Sequence, residues 1–170
     1  MEIERIETSR VVLRKWVMED AEALLKYVSD HRVADPGLWT AHRSIEESRL
    51  VLRELFVPYP MIYAIVLKET DEPVGCIGLV PEGAEHYDVG ATGREIGYWI
   101  GYPYWGNGLM SEALGAFVRH CKDVGGMCSL VITTSQGNIG SQRVAEKCGF
   151  GKVGECVCEG VPSLAYRLEL

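Results

Sequence analysis

The chain has 170 residues, 47% of them hydrophobic and 24% charged, ordinary values for a single globular domain, 1–170, with a substantial core. Its formal net charge of −7 argues against general nucleic-acid binding, which needs a basic face, and no apolar run approaches membrane length. Met1, Glu2, Ile3, Glu4 and Arg5 do not open a secretory signal, so a cytoplasmic protein with six reduced cysteines is expected.

Residues 11–16 read as a first strand, and Asp20 opens a helix whose apolar face is Ala21, Leu24, Leu25 and Val28. Residues 31–43 read as irregular, with Pro36, Gly37 and an exposed Trp39. Ser44 and Glu47 form a capping box, and the helix they open carries Leu50, Val51, Leu52 and Leu55 before stopping near Pro58. Strands are expected at 62–67 and 74–79, joined by a hairpin turn at 69–73. Residues 81–93, polar and glycine-bearing, read as a mobile loop. Residues 95–100 form the central strand, rich in β-branched and aromatic side chains, and Pro103 stops it.

After that strand Gly106 and Gly108 turn the backbone, and Leu109, Ala113, Leu114, Phe117, Val118 and Cys121 recur at helical spacing. A glycine turn feeding a helix N-terminus gathers free N–H groups at the positive end of the dipole, an arrangement suited to a phosphate or pyrophosphate. It is no Walker loop, because no Gly-Lys-Ser/Thr follows the glycines. Nor does it match a dinucleotide fingerprint, which needs a third small glycine and an acidic residue at a fixed offset. A strand at 129–133, a helix from Asn138 and closing strands at 152–159 and 163–168 complete the chain. The order β-α-α-β-β-β-α-β-α-β-β predicts a mixed, mostly antiparallel α/β sheet with helices on both faces.

The spaced residues Asn138, Ser141, Arg143, Glu146, Lys147, Gly149 and Phe150 follow the central helix. With Trp105, Gly106, Asn107, Gly108, Leu109 and Met110, and with the opening Glu7, Thr8, Ser9, Arg10 and Arg14, they resemble the GNAT superfamily of acyl-CoA-dependent N-acetyltransferases. The RimJ/RimL-like branch, which acetylates protein amino termini, is the nearest in pattern. The resemblance implies a central sheet splayed at a β-bulge, with acetyl-CoA in the gap as co-substrate and no metal. It also implies pantetheine pairing along Tyr98, Trp99 and Ile100, with the N–H groups around Tyr98 and Trp99 holding the carbonyl. Pyrophosphate is expected on the N–H groups from Gly106 to Ser111, Asn138 on the pantetheine arm, and Arg143 with Lys147 as candidate phosphate contacts. Trp39, Phe56 and Tyr59 are candidates to line the acceptor groove.

Amine acetylation needs a deprotonated amine, a held carbonyl and a proton for the departing thiolate. The resemblance makes Glu95, at the start of the central strand, the candidate base. Many superfamily members carry a tyrosine acid at the position of Ala145, so Ser141, one turn earlier, is the candidate substitute. Met110 stands where Gly or Ala is usual and is expected to narrow the phosphate approach. Cys76, Cys121 and Cys148 read as small buried hydrophobes, and Cys156 and Cys158 have strand spacing without a second pair that would make a zinc site.

The expectation is thus direct acetyl transfer from acetyl-CoA to a primary amine: a peptide amino terminus, a polyamine or an aminosugar. A CoA-binding regulatory module with weak or no catalysis, or an adenylate- or nicotinamide-binding protein, are the alternatives. No nucleic acid, no membrane, and a monomer or homodimer are expected.

Overall fold

The computed structural model describes residues 4–170. Met1, Glu2 and Ile3, on which the expectation of no export signal partly rests, lie outside the described residues. In chain order the elements are β1 (Ile6–Glu7), β2 (Val11–Lys15), α1 (Ala21–Val28), α2 (His31–Gly37), α3 (Ile45–Val51), β3 (Ile62–Leu67), β4 (Glu72–Leu79), β5 (Arg94–Ile100), α4 (Leu109–Val124), β6 (Ser129–Ser135), α5 (Ile139–Lys147), β7 (Gly151–Cys158) and β8 (Val161–Glu169).

All eight strands form one sheet in the order β1-β2-β3-β4-β5-β6-β8-β7. Every pairing is antiparallel except that of β5 with β6. The sheet is buried on both sides because helices cover both. On one side α1, α3 and Trp39 pack over Val12, Ala64, Val66 and Cys76. On the other, Leu109, Ala113, Leu114 and Phe117 of α4 seal Leu13, Ile65, Ile96 and Ile132. Phe117 and Leu114 are fully buried, each stabilising the fold by roughly 1.5–3 kcal/mol relative to exposure.

The expected fold class holds, with three refinements. Residues 31–37, read as irregular, form the helix α2. Asp30 caps it by accepting from the Arg32 amide, and it ends at a left-handed Leu38 with φ 63°. Helix α3 does not stop at Val51 but continues through a π-helical turn, Leu52–Phe56, the kind of bulge that re-aims side chains at functional sites. The third refinement concerns the splay. Strand β5 pairs with β6 only over Arg94, Glu95 and Ile96, after which the two strands part. The expected β-bulge is not on β5, whose register with β4 is unbroken. The irregularity lies one strand away, where Ile65 pairs with Gly75 and Val66 with Pro73, leaving Val74 without an opposite residue.

Candidate active site

The parting of β5 from β6 frees a particular set of backbone groups. The Val80 amide donates to the Glu95 carbonyl at 2.8 Å, and the Gly101 amide to the Val74 carbonyl at 2.8 Å. In an antiparallel ladder that phase turns the backbone groups of residues 95, 97, 99 and 101 toward β4, and those of 96, 98 and 100 the other way. Ile96 meets β6; Tyr98 and Ile100 face the gap. The Trp105 indole N–H donates to the Ile100 carbonyl at 2.8 Å, which leaves the two amide N–H groups and the Tyr98 carbonyl for a ligand. The Trp99 amide, expected among the carbonyl donors, is instead directed at β4. The Trp99 side chain remains in the site, half-buried, 5.9 Å from the Trp39 ring.

A cavity of about 470 Å³ opens at this gap. Its polar lining includes Glu95, Thr133, Thr134, Asn138 and Ser141. The Thr134 hydroxyl is buried without a hydrogen-bond partner among the described residues. Such a group in a polar cavity wall is poised for a ligand amide or water, since leaving it unmatched costs about 1–3 kcal/mol. Asn138 caps α5, its Oδ1 accepting from the Ser141 amide at 3.2 Å, so its side-chain NH₂ is directed elsewhere. The apolar wall comes from Leu24, Val28, Leu55, Phe56 and Trp39. Tyr59, grouped with Trp39 and Phe56 from the sequence, is 39% exposed and outside this lining.

Glu95 is 2% exposed, and both of its carboxylate oxygens accept hydrogen bonds. Oε2 accepts from the His86 amide at 2.7 Å, while Oε1 accepts from the Thr133 hydroxyl at 2.7 Å and lies 3.0 Å from His86 Nδ1. The 81–93 segment is therefore fastened down: besides His86 on Glu95, the Arg167 guanidinium donates to the Asp88 carbonyl at 2.7 Å, and the Tyr87 hydroxyl to the Val153 carbonyl at 3.4 Å. Loop composition alone gave no sign of these partners.

Ser141 faces the same cavity, and its hydroxyl lies 3.1 Å from the Tyr98 hydroxyl, which also donates to the Ser141 carbonyl at 3.1 Å. Burial pushes the Tyr98 phenol above its ordinary pKa, keeping it a neutral donor. Ala145 is fully buried in the core, so α5 itself offers no phenol. Tyr98, selected from the sequence for its backbone, thus brings one from the strand.

At the far end of the gap, Gly106 and Gly108 hold φ of 77° and 81°, a conformation that side chains other than glycine adopt only under strain. The amides of Gly108, Met110 and Ser111 have no protein acceptor among the described residues, as expected at the start of a helix; that of Leu109 reaches Asn107 Oδ1 at 3.3 Å. Gly108 and Ser111 border a second cavity of about 610 Å³ that also takes in Arg10, Arg119 and Lys147. Arg10 bonds the Asn107 carbonyl at 2.9 Å and Glu112 Oε1 at 3.0 Å. Met110 does not narrow this approach: it is 7% exposed and packed into the core with Leu109. Arg143 is exposed and borders neither cavity, whereas Lys147 borders the second. Trp105, 46% exposed, closes the end of β5 rather than lining a cavity.

His86, Thr133, Thr134 and Arg119 join the site without a motif in the sequence to mark them, and Arg10 belongs there only to the opening pattern of residues 7–14. Each arrives through tertiary contact and carries no local signature.

This arrangement agrees with comparisons to known proteins. A family model described as an acetyltransferase (GNAT) domain matches residues 10–151. The chain is 32% identical over 123 residues to an uncharacterized N-acetyltransferase, p20, of Bacillus licheniformis, covering 69% of this chain and 66% of that protein. A GNAT-family acetyltransferase structure from Bacillus anthracis superimposes with a TM-score of 0.82 at 22% identity, covering 98% of both chains. The microcin C7 self-immunity acetyltransferase MccE, solved with acetyl-CoA and AMP, superimposes with a TM-score of 0.76 at 19% identity, covering 96% of this chain and 94% of that one.

Proposed function

The chain belongs to the GNAT acetyltransferase family, and from that premise we propose that it moves an acetyl group from acetyl-CoA to a primary amine by direct transfer in a ternary complex. The observation that carries this reading is the gap between β5 and β6, where the Tyr98 and Ile100 amides face away from β4 and Tyr98 lines a cavity that also contains the buried Glu95 carboxylate. Pantetheine adds to Tyr98 and Ile100 like an extra strand. Thr134 and Asn138 serve its amides, and the pyrophosphate rests on the start of α4 between Arg10 and Lys147. MccE, which shares the fold, was solved with acetyl-CoA, which supports acetyl-CoA as the co-substrate. Carbonyl charge developing in the transition state is met by preorganised N–H donors at the gap. The thiolate leaves beside the Tyr98 and Ser141 hydroxyls.

The acceptor end favours one amine on an apolar body. Its carboxylates, Glu95 and Glu159, stand at the β5–β7 side, while the α1–α3 wall is aliphatic and aromatic. His42 on that wall is held below its ordinary pKa by burial, so it adds no charge at neutral pH. A polyamine or aminosugar, with several ammonium groups, would leave charges against this wall unmatched. An aralkyl monoamine, or a peptide whose first side chain is apolar, fits.

The test is thiol release from acetyl-CoA over aralkyl monoamines, peptides with Phe or Leu first, polyamines and aminosugars. Release with the first two groups, and a loss of kcat of about 10²- to 10⁴-fold in Glu95→Gln, is the expected result. Saturable CoA binding without release on any amine would leave a non-catalytic CoA-binding module instead.

A further inference from the structure

Glu95, the candidate base by resemblance, already accepts through both of its carboxylate oxygens. Glu95 lines the cavity but is only 2% exposed, and the His86 amide, the His86 ring and the Thr133 hydroxyl all point at its two oxygens. His86, in contrast, lines the cavity with its side chain 32% exposed. A buried carboxylate only accepts, so the nitrogen 3.0 Å from it, Nδ1, is the one that carries the ring proton. With Nδ1 turned to Glu95, Nε2 is the ring nitrogen left for a substrate, on the edge that lies 3.8 Å from Glu159 Oε1. This is a base with an orienting carboxylate behind it, and the Thr133 hydroxyl fixes that carboxylate in turn.

We infer that His86 is the catalytic base that takes the proton from the acceptor ammonium, and that Glu95 is a positioning residue which sets the His86 tautomer and stabilises the imidazolium. The inference rests on the acetyl-transfer reading. In the step, the ammonium N–H bond breaks and its proton passes to His86 Nε2. The freed nitrogen lone pair attacks the thioester carbonyl carbon, and the C–S bond breaks as the tetrahedral intermediate collapses. A second nitrogen proton ends on the departing sulfur by way of the Ser141 and Tyr98 hydroxyls, and His86 releases its proton to solvent along its open edge. The sum is ammonium plus thioester to amide plus thiol plus one proton. Glu159 at the β7–β8 turn lies against the ring, and Cys158 on β7 shares the cavity with it, with Cys156 beside Cys158. Burial, with Cys158 and Glu95 nearby, pushes the Cys156 thiol up to about 12, so it remains protonated and does not compete as a base.

Two variants separate a base from a mere fastener. His86→Asn retains a donor for Glu95 and removes the base; His86→Ala leaves room for a free imidazole. With any amine that the wild type turns over, His86→Asn is expected to lower kcat by about 100-fold, with KM for acetyl-CoA within about twofold. Added imidazole is expected to restore His86→Ala saturably and to leave Glu95→Ala unrestored. Unchanged acetyl-CoA KM and melting temperature establish that the variants are folded. Should His86→Asn keep kcat within about threefold of wild type, or imidazole fail to restore a folded His86→Ala, the inference is overturned and His86 only anchors its loop. A wild-type enzyme that turns over no amine would instead overturn the acetyl-transfer reading itself.

Discussion

At the scale of single residues, the departure of α5 from the wider family pattern is compensated across the gap. Ala145 leaves that helix without a phenol, and Ser141 was the natural sequence substitute; the structure supplies Tyr98, whose hydroxyl is within 3.1 Å of Ser141 Oγ. Neither hydroxyl is an effective acid alone, because burial holds the phenol above its usual value. Together they make a short relay to the sulfur. Tyr98→Phe and Ser141→Ala are each expected to lower kcat about 3- to 10-fold, the worth of one neutral hydrogen bond. The double variant is expected to lose little more than the worse single one, since both interrupt the same chain. Fully multiplicative losses in kcat at saturating substrates would show two independent roles. Tyr98 was legible as a strand residue and not as a phenol donor, because its hydroxyl partner lies 43 positions away.

At the scale of elements, the start of α4 is built by two distant pieces of chain. Glu112, in its first turn, accepts from the Thr8 hydroxyl at 2.6 Å and the Arg10 amide at 2.9 Å, and pairs with the Arg10 guanidinium. The segment between β1 and β2 is thereby tied to the glycine turn and brings Arg10 to the second cavity. Arg10→Ala is expected to raise KM for acetyl-CoA about 10-fold or more, the worth of one charge-assisted contact, with kcat little changed; dephospho- or truncated CoA donors would show which phosphate is involved. Burial pulls the Glu112 pKa upward, but the Thr8 hydroxyl and the Arg10 amide and guanidinium outweigh it and hold it below its ordinary 4.5. A depressed carboxylate stabilises the fold above its unfolded value and loses that contribution as pH falls through the lower folded value. Melting temperature should therefore fall on acidification below about pH 4.5, and fall less in Glu112→Gln. The glycine turn and the α4 periodicity were legible because they are local. Helix α2 was not: seven residues ending in Pro36 and Gly37 carry turn signals, and what secures it is Trp39 folding under Gly37, where an added Cβ would meet the indole at 1.9 Å.

At the scale of the whole molecule, the sheet is two blocks joined by a short seam. One block runs from β1 to β5 and the other is β6, β8 and β7, and only three residue pairs connect β5 to β6. The mixed, mostly antiparallel sheet with helices on both faces could be anticipated from hydrophobic pattern and resemblance, whereas the two-residue edge strand β1 could not. The phase of the β5 ladder could not, because it depends on which residues of β4 stand opposite. That phase makes a position-specific prediction. Amides 97 and 99 face β4 whether or not a ligand is present, whereas amides 98 and 100 face the gap. Saturating CoA should therefore slow hydrogen exchange at Tyr98 and Ile100 far more than at Gly97 and Trp99, a strict alternation along four consecutive residues. Bridging the seam also stabilises the native state by mass action, about 2.7 kcal/mol at a ligand concentration 100 times Kd. For a chain of this size that corresponds to a rise in melting temperature of roughly 5–10 °C. Uniform protection of all four amides would mean that CoA tightens the block as a whole, without adding as a strand in the gap. Protection of 97 and 99 alone would invert the ladder phase and move the carbonyl-holding donors back to Trp99.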